Sequence, residues 1–290
     1  MVMAIRELLK SKLGRRRVLR AGLSVLIASY LAFCTYFYFF QEWHLLEPNT
    51  VPTGGRPSEL KEEPFELAVQ PQDGGPATIH YRKYVTSAEQ KKGVVFYLHG
   101  NKGNMDLCEY QIEFLITLGY DVWTMDYRGY GDSTGTVSEK ALKDDALAIY
   151  EIIDKQRPQE PIVIWGRSFG SGVAASVAAA TDKKPKMLVL ETPYWSVVDA
   201  VRQKHLYIPS MIFRYELPIH EFLKSANGPI HLIHGTQDEK IPSNSSDRLL
   251  ELCKTKGFDV TGHAIMGGKH NLRDPNTNAE FEEVAAKILK

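Results

Sequence analysis

Residues Gly166, Arg167, Ser168, Phe169 and Gly170 follow the apolar run 162–165 and lead straight into Ala174, Ala175, Val177 and Ala178. A buried strand, a tight turn and a helix therefore arrive in that order. A serine hydroxyl has a pKa far above neutrality and attacks nothing unaided. It becomes competent when a sharp turn exposes its oxygen to a base and sets it beside backbone N–H donors. The two glycines have a mechanical reason, because a side chain at Gly166 or Gly170 would collide with backbone in a turn pinched that tightly. G-x-S-x-G occurs by chance in many chains, but between a strand and an Ala-rich helix it makes Ser168 the candidate nucleophile.

A serine nucleophile needs a base, and the chain has nine histidines. With the serine first, then the acid, then the base, the order used with this kind of elbow, His205, His220, His231, His234, His263 and His270 are eligible. His270 lies in Met266-Gly267-Gly268-Lys269-His270-Asn271-Leu272, a glycine-rich loop between the last predicted strand and the last predicted helix. Such a loop can carry an imidazole over the sheet edge, so His270 is the candidate base. His231 and His263 fall in or beside strands and read as packed or surface residues; His234, at a strand end before Gly235, reads as a turn stabiliser. The acid must orient the imidazole and stabilise its cation. Asp238, in the loop after the penultimate strand, is the candidate, with Glu191 directly after the preceding strand as its competitor and Glu239 behind it. If not the acid, Asp238 would cap its own turn.

The developing oxyanion calls for two preorganised N–H donors. The backbone N–H of Phe169 is one candidate. The other is that of Asn101, in His99-Gly100-Asn101-Lys102-Gly103-Asn104 after the strand 94–98, where His99 itself reads as a structural hydrogen-bonder. Asp126 and Arg128, in a glycine-rich turn, are placed to pair and brace the site. No metal or organic cofactor is indicated, since oxyanion donors take the part a Lewis acid would play.

These groups need a frame. Runs 94–98, 121–125, 162–165, 187–190, 230–233 and 260–265 read as strands, and 105–118, 138–156, 171–180, 244–256 and 278–289 as helices. The alternation predicts an α/β fold, a mostly parallel central sheet with helices on both faces and its active groups at the C-terminal strand ends. Segments 65–69 and 78–84, split by Pro71, Asp73, Gly74, Gly75 and Pro76, read as an antiparallel edge hairpin. Residues 195–227 break the rhythm with Trp195, Tyr207, Ile208, Met211, Phe213, Tyr215 and Phe222, and are expected either to form a small cap lining an apolar pocket or to be a crossover helix with loops.

Residues 21–40 contain no charge and are rich in Leu, Ile and Phe, behind Lys10, Lys12, Arg15, Arg16, Arg17 and Arg20. About twenty such residues span a bilayer. Their aromatic end, from Tyr36 to Phe40 and on to Trp43, resembles an interfacial belt rather than a small-residue cleavage site, so a signal-anchor is expected. The reading divides the chain into a basic cytoplasmic N-terminus (1–20), a transmembrane anchor (21–40), a Pro/Gly linker (41–63) and the folded domain (64–290), which lies on the periplasmic, lumenal or extracellular side. The 35 basic and 35 acidic residues balance and remove the electrostatic case for nucleic acid. Cys34, Cys108 and Cys253 match no zinc or redox spacing.

Taken in order, His-Gly-Asn-x-Gly-Asn, the loop Asp126-Tyr127-Arg128-Gly129-Tyr130-Gly131-Asp132-Ser133-x-Gly135, the serine elbow, His-Gly-Thr-x-Asp and Gly-Gly-x-His resemble the α/β-hydrolase superfamily. Within it the chain is most similar to the membrane-anchored abhydrolase-domain serine hydrolases, a group with lysophospholipid and monoacylglycerol lipases. The resemblance covers about residues 64–290 and the anchor. It implies the α/β-hydrolase fold and a serine hydrolase that works through an acyl-enzyme on an ester, thioester or amide, without fixing the substrate; the apolar insertion and the anchor point to a lipid ester at a membrane. A peptidase or acyltransferase on the same residues is the alternative, and a non-catalytic binding protein a more distant one.

Overall fold

The computed structural model describes residues 12–48, 62–69 and 75–290. The first eleven residues, most of the expected linker and the Pro71, Asp73 and Gly74 turn lie outside the described residues. In chain order the elements are α1 (Lys12–Phe40), α2 (Glu42–Leu45), β1 (Glu47–Pro48), β2 (Glu62–Val69), β3 (Ala77–Tyr84), β4 (Gly93–Leu98), β5 (Lys102–Gly103), a 3-10 turn (Met105–Cys108), α3 (Glu109–Thr117), β6 (Tyr120–Met125) and α4 (Glu139–Gln156). There follow β7 (Ile162–Arg167), α5 (Phe169–Ala180), β8 (Met187–Glu191), α6 (Val197–Arg202), a 3-10 turn (Ser210–Ile212), α7 (Ile219–Phe222), β9 (Ile230–Gly235), α8 (Asn244–Thr255), β10 (Val260–Ile265) and α9 (Asn278–Ile288).

Eight strands form one sheet in the order β10-β9-β8-β7-β4-β6-β3-β2, and a separate two-stranded pair joins β1 to β5. β2 and β3 pair antiparallel, as does β3 with β6; from β6 to β10 every neighbour is parallel. The central strands are apolar throughout because both faces are covered. Val94, Phe96 and Leu98 of β4 join the cluster under α4, α5 and α8, while Val95 and Tyr97 join the one under α3 and α9. α4 shows how the sequence dictates its helix. The Ser138 hydroxyl accepts the Ala141 N–H at 3.1 Å, and Leu142, Ala146, Ile149, Tyr150 and Ile153 recur on one buried face.

The chain switches direction at β4, from β6 on one side to β7 on the other, and a crevice opens at the carboxyl ends of strands that flank such a switch. The register keeps those ends level: Leu98 pairs with Gly166, Arg167 with Glu191, Glu191 with Ile233, and Gly235 with Ile265. The loops after β4, β7, β8, β9 and β10 therefore share one rim.

Two expectations need correction. The predicted helix 105–118 is a 3-10 turn followed by α3, because the Asn104 side chain caps the first turn by accepting the Asp106 N–H at 3.1 Å. The expected linker, moreover, begins as ordered structure. Gln41 and Leu46 are buried, and Glu47 donates its N–H to the Asn101 carbonyl at 2.9 Å. α1 has 29 residues, about 43 Å at 1.5 Å per residue, and most of its Leu, Ile and Val side chains are exposed. It is long and apolar enough to cross a membrane.

Candidate active site

β7 ends in the elbow. Ser168 has φ 52° and ψ −119°, a region that costs a non-glycine residue free energy unless its surroundings hold it there. A Cβ at Gly166 would meet the Gly170 carbonyl oxygen at 2.3 Å, and one at Gly170 would meet the carbonyl oxygens of Leu98 and His99 at 2.2 and 2.4 Å. Both positions are thus closed to any side chain. The strain is held by a backbone bond, since the Ser168 N–H donates to the Glu191 carbonyl at 2.8 Å.

The structure brings Ser168, His270 and Asp238 together from three separate loops. Ser168 Oγ lies 2.9 Å from His270 Nε2, and His270 Nδ1 lies 2.8 Å from Asp238 Oδ2. The proton on Nδ1 donates to the carboxylate, which leaves Nε2 as the acceptor for the serine hydroxyl. Asp238 also keeps the capping role the sequence assigned it, its Oδ1 accepting the N–H groups of Lys240 at 2.8 Å and Ile241 at 2.9 Å. Burial pushes the Asp238 carboxyl up, yet the hydrogen bonds of His234 and His270, followed by the N–H of Ile241, hold it well below the usual carboxylate range. His234 braces this turn, with Nε2 2.8 Å from the Ile241 carbonyl and Nδ1 2.7 Å from Ser246 Oγ.

Phe169 is the first residue of α5, so its N–H belongs to the orphan donors of a helix N-terminus. Across the crevice the loop after β4 runs tight against the serine, a Cβ at Gly100 lying 3.7 Å from that of Ser168. Asn101 is fixed by its other groups, its amide donating to the Leu45 carbonyl at 2.9 Å and its carbonyl accepting from Tyr130 Oη at 2.9 Å. Both residues line the same cavity as Ser168 and His270.

Comparison with known proteins agrees with this architecture. The sequence matches the Hydrolase_4 family, described as serine aminopeptidase, S33, over residues 89–218. The structure superposes on Pyrococcus furiosus esterase Pf2001 with a TM-score of 0.67 at 17% identity, over 84% of this chain and 97% of that one. The chain has the α/β-hydrolase fold. A carboxyl esterase of Bacillus coagulans shares the fold with a TM-score of 0.64 at 15% identity, over 78% of this chain and 97% of that one. Among sequences, lysophosphatidylserine lipase ABHD12 of Danio rerio is 32% identical over 63% of this chain and 52% of its own length. The mouse protein of the same name is 29% identical over 59% and 48%. The chain thus spans about half the length of the relatives it matches.

The competitor acid Glu191 does not face the imidazole. Its carboxylate accepts from Arg273 at 2.6 and 3.0 Å, from Arg167 Nε at 3.1 Å and from Trp165 Nε1 at 3.1 Å. Burial would raise it, but the charge and hydrogen bonds of Arg273, then of Arg167 and Trp165, keep it ionised below its ordinary value. This cluster was missed from sequence. The available signal was two arginines flanking the candidate groups, Arg167 just before Ser168 and Arg273 three residues after His270. Tyr127 was missed too; its Oη holds the His99 carbonyl at 2.8 Å.

The expected pair of Asp126 with Arg128 does not form. Arg128 makes a two-pronged bond to Asp145 on α4 at 2.8 and 3.0 Å. Asp126 turns inward instead, accepting the Met105 N–H at 2.7 Å, with Oδ1 3.6 Å from His99 Nε2. Burial drives the Asp126 carboxyl up to about 7 and the His99 imidazole down to about 4. Because the folded Asp126 value is raised, the protein holds an extra proton. Stability is complete below the ordinary carboxylate range and falls as pH rises through about 7. The lowered His99 acts in the opposite sense, its share rising with pH up to about 6.5, so the Asp126 share is read as the stability difference between the parent and Asp126→Asn in thermal melts at pH 5, 6.5 and 8, expected to shrink by roughly 2–4 kcal/mol over that range. Parallel curves for the two proteins would remove the buried acid.

The cavity has a volume of about 620 Å³, within the ~300–1,000 Å³ span of ligand sites. Val197, Ala200, Val201, Tyr207 and Ile208 from the predicted cap line it. Two other cap residues expected there do otherwise. Met211 is 87% exposed, and Phe213 packs on Phe37 of α1 with ring centroids 5.3 Å apart.

Proposed function

We propose that the chain is a membrane-anchored serine hydrolase that cleaves acyl esters of lipids, of the lysophospholipid or monoacylglycerol kind. The observation that carries this reading is the relay Ser168–His270–Asp238 opening into a cavity with one largely apolar side. Ser168 Oγ attacks the acyl carbonyl as His270 takes its proton. The N–H groups of Asn101 and Phe169 receive the oxyanion, and the alcohol leaves with the proton returned by His270. Water then repeats the cycle on the acyl-enzyme. α1 is the anchor, with the basic residues before it on the cytoplasmic face and the folded domain on the opposite side. Protease added from the cytoplasmic face should leave that domain intact.

The charged residues of the cavity favour an anionic lipid over a peptide. Lys102, Lys204 and Lys240 line it, against Glu47 alone, and Glu47 is already paired with Lys102 at 3.1 Å. An aminopeptidase has to hold a cationic amine, and this lining repels one. Lysophosphatidylserine, named in the relatives, has an anionic head that suits it. The test is fluorophosphonate labelling followed by a substrate panel. Lysophosphatidylserine and monoacylglycerol should be cleaved and peptides spared. Lys204→Ala with Lys240→Ala should raise KM for the anionic lipid about tenfold, with little change for the neutral one. Preference for peptide amides over every acyl ester would end the lipase reading.

A further inference from the structure

The anchor helix does more than leave the domain. Its last turns are built into the cavity: Phe33, Tyr36 and Phe37 of α1 line it together with Ser168, Val201, Tyr207 and Ile208. The contact is specific. Phe37 is buried with Ile208 and Phe213, and Phe33 packs against Tyr207 with the rings tilted by 52° and centroids 5.7 Å apart. Polar bonds lock the same junction. Gln41 donates to the Ile212 carbonyl at 3.2 Å and accepts the Arg214 N–H at 2.8 Å, Tyr30 Oη donates to the Tyr207 carbonyl at 2.8 Å, and Arg214 pairs with Glu42.

These three wall residues fall inside the uncharged run 21–40. A helix that crosses the bilayer with that run therefore holds this wall at the outer end of the hydrocarbon layer, from Phe33 among the lipid chains to Tyr36 and Phe37 in the aromatic belt. The loop opposite points the same way, since Leu206, Tyr207 and Met211 expose apolar side chains. Lys204 and His205, which also line the cavity, come just before this apolar stretch in sequence.

We infer that the acyl chain of a bilayer lipid enters the cavity laterally alongside Phe33, Tyr36 and Phe37 of α1, with Val201 facing them, so that the anchor is one wall of the acyl channel. The inference rests on the lipid-esterase reading for its substrate. The alternative on the same scaffold is an anchor that only tethers, with the substrate arriving from water. The two differ in what Phe33 and Val201, facing one cavity from different elements, should do. A chain threading between them feels volume at either position. A substrate arriving from water, with its acyl group housed elsewhere, feels neither.

The full chain, reconstituted in phosphatidylcholine vesicles, is assayed as the ratio of kcat/KM for oleoyl against butyryl glycerol esters. Val201→Phe, which fills the gap, is expected to lower that ratio at least tenfold, and Phe33→Ala, which strips the wall, severalfold. Leu26→Ala lies on the same helix away from the cavity, 69% exposed, and should leave the ratio as it is. Ratios within twofold of the parent for both cavity variants would overturn the inference, as would an equal fall for Leu26→Ala. A second measurement does not depend on turnover. A lysophosphatidylcholine with a diazirine at the end of its acyl chain is photolysed on the Ser168→Ala chain in the same vesicles. Label is expected on peptides holding residues 33–37 and 200–208. Label confined to residues 21–27 would overturn the inference whether or not the parent cleaves esters, whereas the esterase reading fails separately if the parent neither cleaves esters nor takes up fluorophosphonate.

Discussion

Ser168→Ala is expected to lower ester hydrolysis by about a millionfold and to abolish fluorophosphonate labelling. Members of such a relay act as one unit, so losing the nucleophile costs as much as losing the whole set. The fold should survive. Among the described residues the hydroxyl makes one hydrogen bond, to His270 Nε2, and its removal leaves the N–H bond from residue 168 to the Glu191 carbonyl in place. The elbow's strained φ is imposed by its neighbours and not by the hydroxyl, so alanine inherits it. Kinetics with a long-chain ester, beside a melting curve, make the check. Labelling that persists on another serine would withdraw Ser168 from its proposed role.

The elbow was legible because everything that makes it is local. A strand, two glycines and a run of alanines lie within twenty residues, and the steric reason for the glycines holds in any fold that bends there. The sheet was legible for the same kind of reason, its central strands β4 and β7 being apolar on both faces and separated by helices of clear period. What sequence could not resolve is where equivalent chemistry at different strand ends would point. Position put Asp238 ahead of Glu191, because its loop neighbours the one that delivers His270, but gave no account of what Glu191 does instead. The difference arises from Arg167 and Arg273, which converge on Glu191 from positions on either side in sequence. Asp126 and Arg128 failed as a pair for a related reason. The charge nearest in sequence was not nearest in space, and Arg128 found Asp145 on the following helix.

The docking of α1 on the cap lay beyond any local pattern. Its bonds join residues more than 170 positions apart, such as Gln41 and Arg214. Hydropathy reports that a segment avoids water, and is silent on whether one of its faces meets protein. Phe33 and Phe37 look no different from Phe39 and Phe40 in the sequence. Only the turn of the helix separates the pair that joins the cavity and its buried cluster from the pair that stays exposed.

The two carboxylates make opposite predictions, and that contrast tests the assignment of the acid. Asp238→Asn is expected to cut kcat about ten-thousandfold, roughly 5.5 kcal/mol in barrier, with little loss of stability. The amide oxygen can still accept the Lys240 and Ile241 N–H groups, but an amide turned towards His270 Nδ1 no longer stabilises the cation formed when the imidazole takes the serine proton. Glu191→Gln should act through the fold. It leaves Arg273, almost wholly buried, and the half-buried Arg167 facing a neutral group, and breaking a buried ion pair costs about 3–5 kcal/mol. For a domain of this size that is a fall of roughly 10 °C in Tm, with the elbow and the His270 loop loosened together because the cluster ties both to β8. Where Glu191→Gln is folded at low temperature, the protein that remains should still take up fluorophosphonate, while folded Asp238→Asn should react far more slowly. The reverse result, a stable Glu191→Gln without activity beside an active Asp238→Asn, would make Glu191 the acid.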